Sequence, residues 1–306
     1  MNFSKKKILI TGGAGFIGSA LAHKLSEENV HLVIYDDFST GRNENLPSQC
    51  EVIKGAITDY TPLESVKNVD YILHFGAPSS VILFNINPEK CVSDTIIGLR
   101  NTFEYAVKTG VKKVIFPSSS SVYGNTPLPQ SETTLTQPTN LYGVAKLTCE
   151  HLSALYTDVV PSVALRIFAG YGPGEAPKGK IASIVNLFFE SIAEEQRPII
   201  FGDGTQTRDF VYIDDIVHVV LSAIETNFTG AVNVGSGESH TFKEVAEIIN
   251  HLLGKDIKPE FVPKPIRYFE HTRADTTLMK KTFAITPTSF INGLSKFLAL
   301  RSDLKN

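Results

Sequence analysis

The sequence of 306 residues contains no tryptophan, two methionines and three cysteines. Because Cys50, Cys91 and Cys149 are odd in number and widely spaced, they indicate neither a disulfide framework nor a zinc knuckle. An excess of basic residues is also missing, since 29 Lys and Arg stand against 32 Asp and Glu, for a net charge of -3. This balance argues against a nucleic-acid-binding protein, and a reducing, cytoplasmic location is expected.

Long hydrophobic runs are missing as well. The uncharged stretch Ile8–Ala22 contains four glycines and is too short to span a bilayer, and no other uncharged stretch is long enough. The eight histidines show no paired metal-ligand spacing, and His74, on a predicted strand, is expected to be a core residue. The sequence therefore predicts a soluble protein with no membrane contact and no metal.

Short apolar runs alternate with segments of helical periodicity through the first half of the chain. This alternation is typical of βαβ units around a parallel sheet. A helix is predicted over Pro88–Lys108, because proline lies in its first turn and Gly110 follows its end. Another is predicted to begin near Leu141. The predicted strands are Lys7–Thr11, His31–Tyr35, Glu51–Lys54, Tyr71–Phe75, Lys113–Phe116 and Ser162–Ile167.

The pattern changes after Ile167, where a loop rich in glycine and proline begins. Beyond this loop, Thr241 and Glu244 have the spacing of a capping box at a helix start. We expect two regions, residues 1–167 and residues 168–306, the second interleaved with the first. The elements predicted in the second are a helix over Ile181–Glu195, strands over Ile199–Phe201 and Asp209–Ile213, and a helix over Asp214–Glu225.

A glycine-rich loop follows the first predicted strand. Gly12, Gly15 and Gly18 allow a tight turn and a close approach of backbone to a pyrophosphate at a helix N-terminus. Asp36 and Asp37 end the second strand, where an acidic side chain accepts hydrogen bonds from the adenosine ribose. A carboxylate there disfavours a 2′-phosphate, so the pattern indicates NAD rather than NADP. In the alternative interpretation, the glycines only form a turn and Asp36 is a solvated strand end.

Two further motifs come after the glycine loop along the chain, a serine run and a Tyr-x-x-x-Lys pair. Ser118–Ser121 comes at the end of the fifth strand, and Tyr142 and Lys146 lie four residues apart on one face of a helix. A nearby ammonium and a positive nicotinamide ring both favour the phenolate, which would lower the pKa of Tyr142 toward that of a general base. Alone, the pair is far more typical of a packed aromatic beside a surface lysine, but its position after the glycine loop and the serine run favours a catalytic pair.

Together these segments resemble the extended short-chain dehydrogenase/reductase family. The nearest group is that of the NAD-dependent nucleotide-sugar epimerases and dehydratases, the UDP-glucose 4-epimerases above all. The resemblance implies a Rossmann-type doubly wound parallel sheet with a smaller C-terminal α/β substrate-binding region. The segments that carry it are residues 11–19 (TGGAGFIGS), 35–41 (YDDFSTG), 142–146 (YGVAK), 165–168 (LRIF), 171–174 (YGPG), 201–215 (FGDGTQTRDFVYIDD) and 233–237 (NVGSG).

The resemblance also implies roles for individual residues. Tyr142 is the implied catalytic base, Lys146 the residue that holds the nicotinamide ribose, and Ser119 the residue that binds the sugar hydroxyl. The implied substrate contacts are Phe201 at the uracil and Arg208 and Arg267 at the diphosphate or its ribose. Besides Tyr142 and Lys146, the implied NAD contacts are Gly12, Gly15, Phe16, Ile17, Asp36, Asp37, Ser39, Ile57, Phe75, Gly76 and Ala77.

The implied reaction is epimerisation at carbon 4 of a UDP-hexose or UDP-N-acetylhexosamine through a transient 4-keto sugar. A 4,6-dehydratase of this family carries Asp-Glu where this chain has Ser120 and Ser121, and a hydroxyl is a poor proton shuttle. Another dehydratase, a keto-sugar reductase and a cofactor-binding sensor without catalysis stay open. The resemblance also implies a homodimer through helices over Pro88–Lys108 and Leu141–Tyr156, although their apolar faces are equally compatible with packing inside a monomer.

Three positions depart from the family pattern. Ala169 replaces an asparagine that contacts the substrate diphosphate, and Ala56 replaces the aspartate of the adenine-binding segment. Ser79 lies where many 4-epimerases carry a lysine near the cofactor phosphates. In this chain, backbone groups and Asp59 are expected to take over the adenine contacts.

Overall fold

The computed structural model describes residues 3–264 and 270–300. Its strands in chain order are β1 (Lys7–Thr11), β2 (His31–Asp36), β3 (Glu51–Lys54), β4 (Tyr71–His74), β5 (Lys113–Ser119), β6 (Ser162–Ile167), β7 (Ala169–Tyr171), β8 (Ile199–Phe201), β9 (Thr207–Arg208), β10 (Phe210–Tyr212), β11 (Gly230–Val234), β12 (His240–Thr241) and β13 (Glu260–Val262). Its α-helices are α1 (Phe16–Ser26), α2 (Val81–Ile86), α3 (Pro88–Thr109), α4 (Leu141–Ala154), α5 (Ile184–Ala193), α6 (Ile213–Glu225), α7 (Phe242–Leu253), α8 (Thr277–Phe283) and α9 (Phe290–Leu300).

Seven strands form one parallel sheet in the order β11-β6-β5-β4-β1-β2-β3. From β1 the chain first proceeds through β2 to β3 and then returns to place β4 on the other side of β1. The strand order therefore reverses between β1 and β4, which is the place where open α/β sheets bind their ligands. The predicted Rossmann-type doubly wound sheet is confirmed.

Helices cover both faces of this sheet, as the alternation of side chains in its strands requires. Ile8 and Ile10 of β1 pack in the same buried cluster as Leu21 of α1 and apolar residues of α6. Leu9, between them, faces the other way and packs with Phe103 of α3. Because both faces are buried, the strands are nearly continuous apolar runs, which is why the sequence reveals them.

The smaller region is built from short strand pairs, β7 with β10, β8 with β13, and β9 with β12. Aromatic side chains fill its core, with the rings of Tyr171, Phe210 and Phe290 in mutual contact. However, β11 and α6 also come from the chain beyond residue 167, and they pack on the large sheet. We propose a boundary between the two regions at residue 167. Beyond it the chain forms the smaller region and also adds β11 and α6 to the large sheet.

Several predicted boundaries match, and the exceptions have local causes. The capping box of Thr241 and Glu244 is present, and Gly110 ends α3 in the left-handed conformation. β5 continues to Ser119, beyond its predicted end at Phe116. Pro117 is tolerated because β4 no longer lies beside it, so the sheet needs no N–H on that side.

Candidate active site at the carboxyl edge of the sheet

The glycine loop joins β1 to α1 in a turn that other residues cannot adopt. Gly12 has a φ of 67°, and a Cβ there would lie 2.4 Å from the backbone of Phe75. A Cβ on Gly18 would lie 2.1 Å from the carbonyl oxygen of Gly12. Gly15 is the N-cap of α1, and no side chain makes a capping hydrogen bond there. This is the backbone geometry that a pyrophosphate needs.

Asp36 lies at the end of β2 and is buried rather than solvated. Its carboxylate accepts hydrogen bonds from the backbone N–H of Ala14 at 2.9 Å and of Phe38 at 2.8 Å. Burial raises the pKa of Asp36, and these two hydrogen bonds oppose that rise. Asp37 is less buried and accepts a bond from Ser39 N at 2.9 Å. Asp36 therefore both holds the glycine loop and lines the space where a ribose would lie.

The next strand end supplies uncharged groups. Gly76 donates its N–H to Thr11 Oγ1 at 3.2 Å, which fixes the segment after β4 against β1. At Ala56, where the family pattern has an aspartate, the carbonyl oxygen accepts a hydrogen bond from Tyr35 Oη at 3.0 Å. The Asp59 carboxylate is used locally, because Oδ1 accepts the N–H of Thr61 at 2.9 Å. The expectation that Asp59 takes over an adenine contact therefore gains no support from the structure.

Tyr142, Lys146 and Ser119 meet where β5 ends and α4 begins. Asn140 caps α4, and Lys146 Nζ donates to the carbonyl oxygen of Pro117 at 3.0 Å. The same Nζ lies 5.7 Å from the centroid of the Tyr142 ring. Burial raises the pKa of Tyr142, whereas its hydrogen bond with Ser119 lowers it, and burial lowers the pKa of Lys146. The polypeptide alone thus shifts the tyrosine pKa in the direction opposite to the one predicted.

A buried ion pair supports this cluster from behind. Glu150, one turn beyond Lys146, accepts hydrogen bonds from Arg166 Nε at 2.9 Å and Nη2 at 2.7 Å. The Ser118 hydroxyl donates to the same carboxylate at 2.5 Å. The Arg166 guanidinium also donates to Tyr123 Oη at 2.9 Å. These bonds fix α4 against the ends of β5 and β6.

His74 is the core residue that the sequence predicted. Its Nδ1 hydrogen-bonds with Thr102 Oγ1 at 2.8 Å and with Thr11 Oγ1 at 3.2 Å. Burial, and secondarily the charge of Lys146, lower the pKa of His74 to about 3. It therefore stays neutral and adds no charge beneath the site.

One cavity of about 500 Å³ joins these groups, a volume within the usual range of ligand pockets. Of the two remaining predicted residues, Phe201 lies on β8 outside this lining, and Arg267 lies outside the described residues. The departures Ser79 and Ala169 also line it. The predicted residues that line the cavity are Gly12, Gly15, Phe16, Ile17, Asp36, Asp37, Ser39, Ile57, Phe75, Gly76, Ala77, Ser119, Tyr142, Lys146 and Arg208.

The far end of the cavity is held by a buried carboxylate beside Arg208. Asp209 accepts hydrogen bonds from the N–H and hydroxyl of Ser236, both at 2.7 Å, and from the N–H groups of Gly237 and Ala274, both at 2.9 Å. Burial outweighs these bonds and raises the pKa of Asp209 to about 6. Asp209 thus joins β9 to two other loops and fixes the backbone that carries Arg208.

Sequence reasoning missed Asp209, Lys178 and Thr272, of which the last two line the cavity. Asp209 lies inside a segment that carries the family resemblance, and an acid directly before the buried strand β10 could have indicated an anchor. Lys178 follows Glu175 by three residues, a spacing that allows an ion pair within one turn. Thr272 gives no signal in the sequence.

The remaining expectations concern a membrane span and a metal site within residues 3–264 and 270–300. None of the helices there is long and apolar enough to cross a membrane. Within the same ranges, no group of three or more His, Cys, Asp or Glu side chains is arranged to hold a metal ion.

Comparisons with known proteins agree with this geometry. Residues 8–235 match the NAD dependent epimerase/dehydratase family. The chain is 32% identical over 303 residues to a UDP-glucose 4-epimerase of Mycolicibacterium smegmatis, covering 95% of this chain and 96% of that protein. It is 31% identical over 325 residues to a UDP-N-acetyl-alpha-D-glucosaminuronate decarboxylase of Bacillus cytotoxicus, covering 99% of each.

Among solved structures, the UDP-glucose 4-epimerase of Thermotoga maritima with UDP-glucose superimposes with a TM-score of 0.93. The two chains are 31% identical, and the match covers 97% of this chain and 99% of that one. The extent of these matches, together with the glycine loop and the Tyr142–Lys146 pair, leads to one assignment. The chain is an enzyme of the NAD-dependent epimerase/dehydratase family, an extended short-chain dehydrogenase/reductase whose cofactor is NAD.

Proposed function

We propose that the enzyme is a UDP-sugar 4-epimerase that acts on a UDP-hexose or UDP-N-acetylhexosamine through a transient 4-keto sugar. One observation carries the proposal. Tyr142, Lys146 and Ser119 converge at the end of β5, while the next two residues of the cavity wall, Ser120 and Ser121, carry no charge. The site therefore has a base for oxidation at carbon 4 but no acid–base pair beside it for a further elimination.

In this mechanism the Ser119 hydroxyl orients the sugar hydroxyl toward Tyr142 Oη, which takes its proton. Lys146, held by the Pro117 carbonyl, lies close enough to stabilise the tyrosinate and to bind the nicotinamide ribose. When bound, NAD would accept the hydride that leaves carbon 4 of the sugar. Its positively charged nicotinamide ring would also offset the rise that burial causes in the pKa of Tyr142. Once the 4-keto sugar has turned its opposite face toward the cofactor, Tyr142 returns the proton to oxygen 4, and the hydride would return to carbon 4 on that face, which completes the cycle.

The binding roles belong to the same proposal. The glycine loop and α1 would hold the NAD pyrophosphate, Asp36 the adenosine ribose, and Ile57 with Gly76 the adenine. Arg208 would bind the sugar-nucleotide diphosphate, because a guanidinium makes paired hydrogen bonds to phosphate oxygens. Phe201 and Arg267 stay proposed contacts to the uridine on the strength of the resemblance alone.

Decarboxylation is the second candidate, because the Bacillus cytotoxicus relative matches along nearly its whole length. A decarboxylase or dehydratase must protonate carbon 5 of the sugar, so it needs an acid at the reacting end. In the described lining the carboxylates are Asp36 at the end of β2, Asp37 directly after it, and Asp94 on α3, and none comes from the wall of Ser119. Glu150, the carboxylate behind that wall, is already paired with Arg166.

The test is incubation of the purified enzyme and added NAD with UDP-glucose, UDP-galactose, UDP-GlcNAc, UDP-GalNAc and UDP-glucuronate, each in D2O and followed by proton NMR. Epimerisation returns the same hydride to carbon 4, so product should form without deuterium in the ring and without net NADH. A keto or alkene product, loss of the carboxylate, or deuterium at carbon 5 would replace the proposal with a dehydratase or a decarboxylase.

We also propose a homodimer through α3 and α4. These helices pack together on one face of the sheet and leave apolar side chains on their outer surface. Leu155, just past α4, is 80% exposed, and Val144 and Ile97 are also exposed. Sedimentation of the wild type and of Val144→Glu with Ile97→Glu tests the interface: a dimer should become a monomer. A monomeric wild type would contradict it.

A further inference from the structure

A third cation lines the cavity in addition to Lys146 and Arg208, within the described residues. Lys178 lies in the turn Ala176–Ile181 between β7 and α5. Its Nζ lies 5.1 Å from the centroid of the Phe16 ring. Because Phe16 is the first residue of α1, this ammonium lies beside the helix N-terminus at which a dinucleotide pyrophosphate binds.

A buried carboxylate holds this lysine in place. Glu175 Oε1 accepts hydrogen bonds from Lys178 Nζ at 2.9 Å and from the backbone N–H of Ser183 at 3.2 Å, and the Ser183 hydroxyl donates to Oε2. The Glu175 side chain is 0% exposed, whereas that of Lys178 is 20% exposed. Three donors therefore satisfy the carboxylate inside the protein. The ammonium is the end of the pair that faces the cavity.

The wall formed by the segment after β4 offers no charge to an anion. Its lining residues within 75–83 are all uncharged, Ser79 among them. Arg208 lies beyond, on β9, and Lys146 is occupied by the Pro117 carbonyl. A doubly charged diphosphate near α1 would thus meet Lys178, a cation of the described lining whose ammonium lies against the Phe16 ring in the first turn of that helix.

We propose that Lys178 binds a diphosphate group in the cavity and that Glu175 and Ser183 position it. The diphosphate belongs either to the dinucleotide cofactor or to the nucleotide sugar, both of which carry this group. Only the second source rests on the proposed function. In either case, the turn Ala176–Ile181 contributes affinity for the ligand from beside the first residue of α1.

The test compares Lys178→Gln with Lys180→Gln, a matched change two residues away at an exposed lysine outside the cavity lining. Dissociation constants are measured by calorimetry for NADH and for UDP, with uridine as a ligand that lacks the diphosphate. Loss of one charge-assisted hydrogen bond should weaken binding about tenfold. Lys178→Arg, which keeps the charge, should retain most of the affinity.

Weaker binding of NADH by Lys178→Gln alone would assign the contact to the cofactor, and weaker binding of UDP but not of uridine would assign it to the substrate. Unchanged affinity for both ligands would overturn the proposal, as would an equal loss in Lys180→Gln. Because these measurements need no turnover, they stand even if the enzyme proves not to be a 4-epimerase.

Discussion

The two sides of the cavity hold their geometry by different means. On the cofactor side, the turn from β1 to α1 rests on backbone contacts so close that Gly12 and Gly18 admit no Cβ. On the side of Arg208, which we propose as the substrate side, β9 and β10 have two and three residues, and a single buried carboxylate, Asp209, receives four hydrogen bonds from the neighbouring loops. Long strands make a fixed edge by themselves, whereas short strands need a side chain to fix their ends.

Loss of Tyr142, the proposed catalytic base, should affect turnover without affecting ligand binding on either side of the cavity. Tyr142→Phe keeps the ring that packs on Phe84 and removes only the hydroxyl. We expect turnover to fall by about a thousandfold, because a general base contributes about a hundredfold to ten-thousandfold. NADH and UDP should bind as in the wild type. Tyr156→Phe, whose hydroxyl donates to Glu104, is the matched control and should retain activity. Full activity of Tyr142→Phe would refute the proposed base.

Removal of the buried carboxylate should affect the substrate side alone. Asp209→Asn keeps the volume but turns one acceptor into an N–H group that faces other N–H donors. We expect the free energy of unfolding to fall by about 3 kcal/mol and the affinity for UDP to fall with it. Asp203→Asn, at an exposed turn, is the control, and both quantities are measured by urea unfolding and calorimetry. An equal loss of NADH affinity would mean that the two sides are not independent.

The converse change is Gly18→Ala on the cofactor side. Its Cβ would lie 2.1 Å from the Gly12 carbonyl oxygen, so the loop must move. Overpacking of this kind costs about 1 to 3 kcal/mol, and we expect NADH affinity to fall about thirtyfold while UDP affinity stays constant. Ser26→Ala, in the last turn of α1, is the control. Tight NADH binding by Gly18→Ala would show that side chains also fix this loop.

The smallest effect is expected at a contact between the two regions. Lys113 begins β5, and its Nζ donates to the carbonyl oxygen of Thr226, where α6 ends. Burial lowers the pKa of Lys113 to about 8. The native state therefore loses this proton at a lower pH than the unfolded chain does. As a result, the free energy of unfolding rises as the pH increases from about 8 toward 10.5.

The measurement is urea unfolding of the wild type and of Lys113→Met at pH 7.5 and pH 10. Relative to that of Lys113→Met, the free energy of unfolding of the wild type should be about 1 kcal/mol higher at pH 10 than at pH 7.5. A difference that does not change with pH would indicate that the ammonium is already well solvated.

The cofactor side was largely predictable, and the reason is physical. Buried parallel strands are apolar runs, and the glycine loop has a fixed spacing, so both are visible in the sequence. The pair Tyr142 and Lys146 could be found because a helix places such residues on one face. The cavity confirms that Asp36 is a buried lining residue rather than a solvated strand end.

The substrate side was less predictable because its contacts join distant parts of the chain. β9 and β12 have two residues each, too few for a periodic pattern. Asp209 finds its donors 27, 28 and 65 residues away, and no local spacing announces them. Burial by the whole fold, which raises the pKa of Tyr142, likewise comes from distant contacts and cannot be read from the spacing of Tyr142 and Lys146.

The position of β11 at the outer edge of the large sheet has a consequence for biosynthesis. β6 is buried along all six of its residues, yet its outer neighbour is not translated until residues 230–234 have been made. While the ribosome adds the intervening segment, the nascent sheet presents a long apolar edge, the type of surface that pairs wrongly with other chains. Shielding by a chaperone would be needed most during that interval, and a polypeptide cut at residue 167 would retain the open edge permanently.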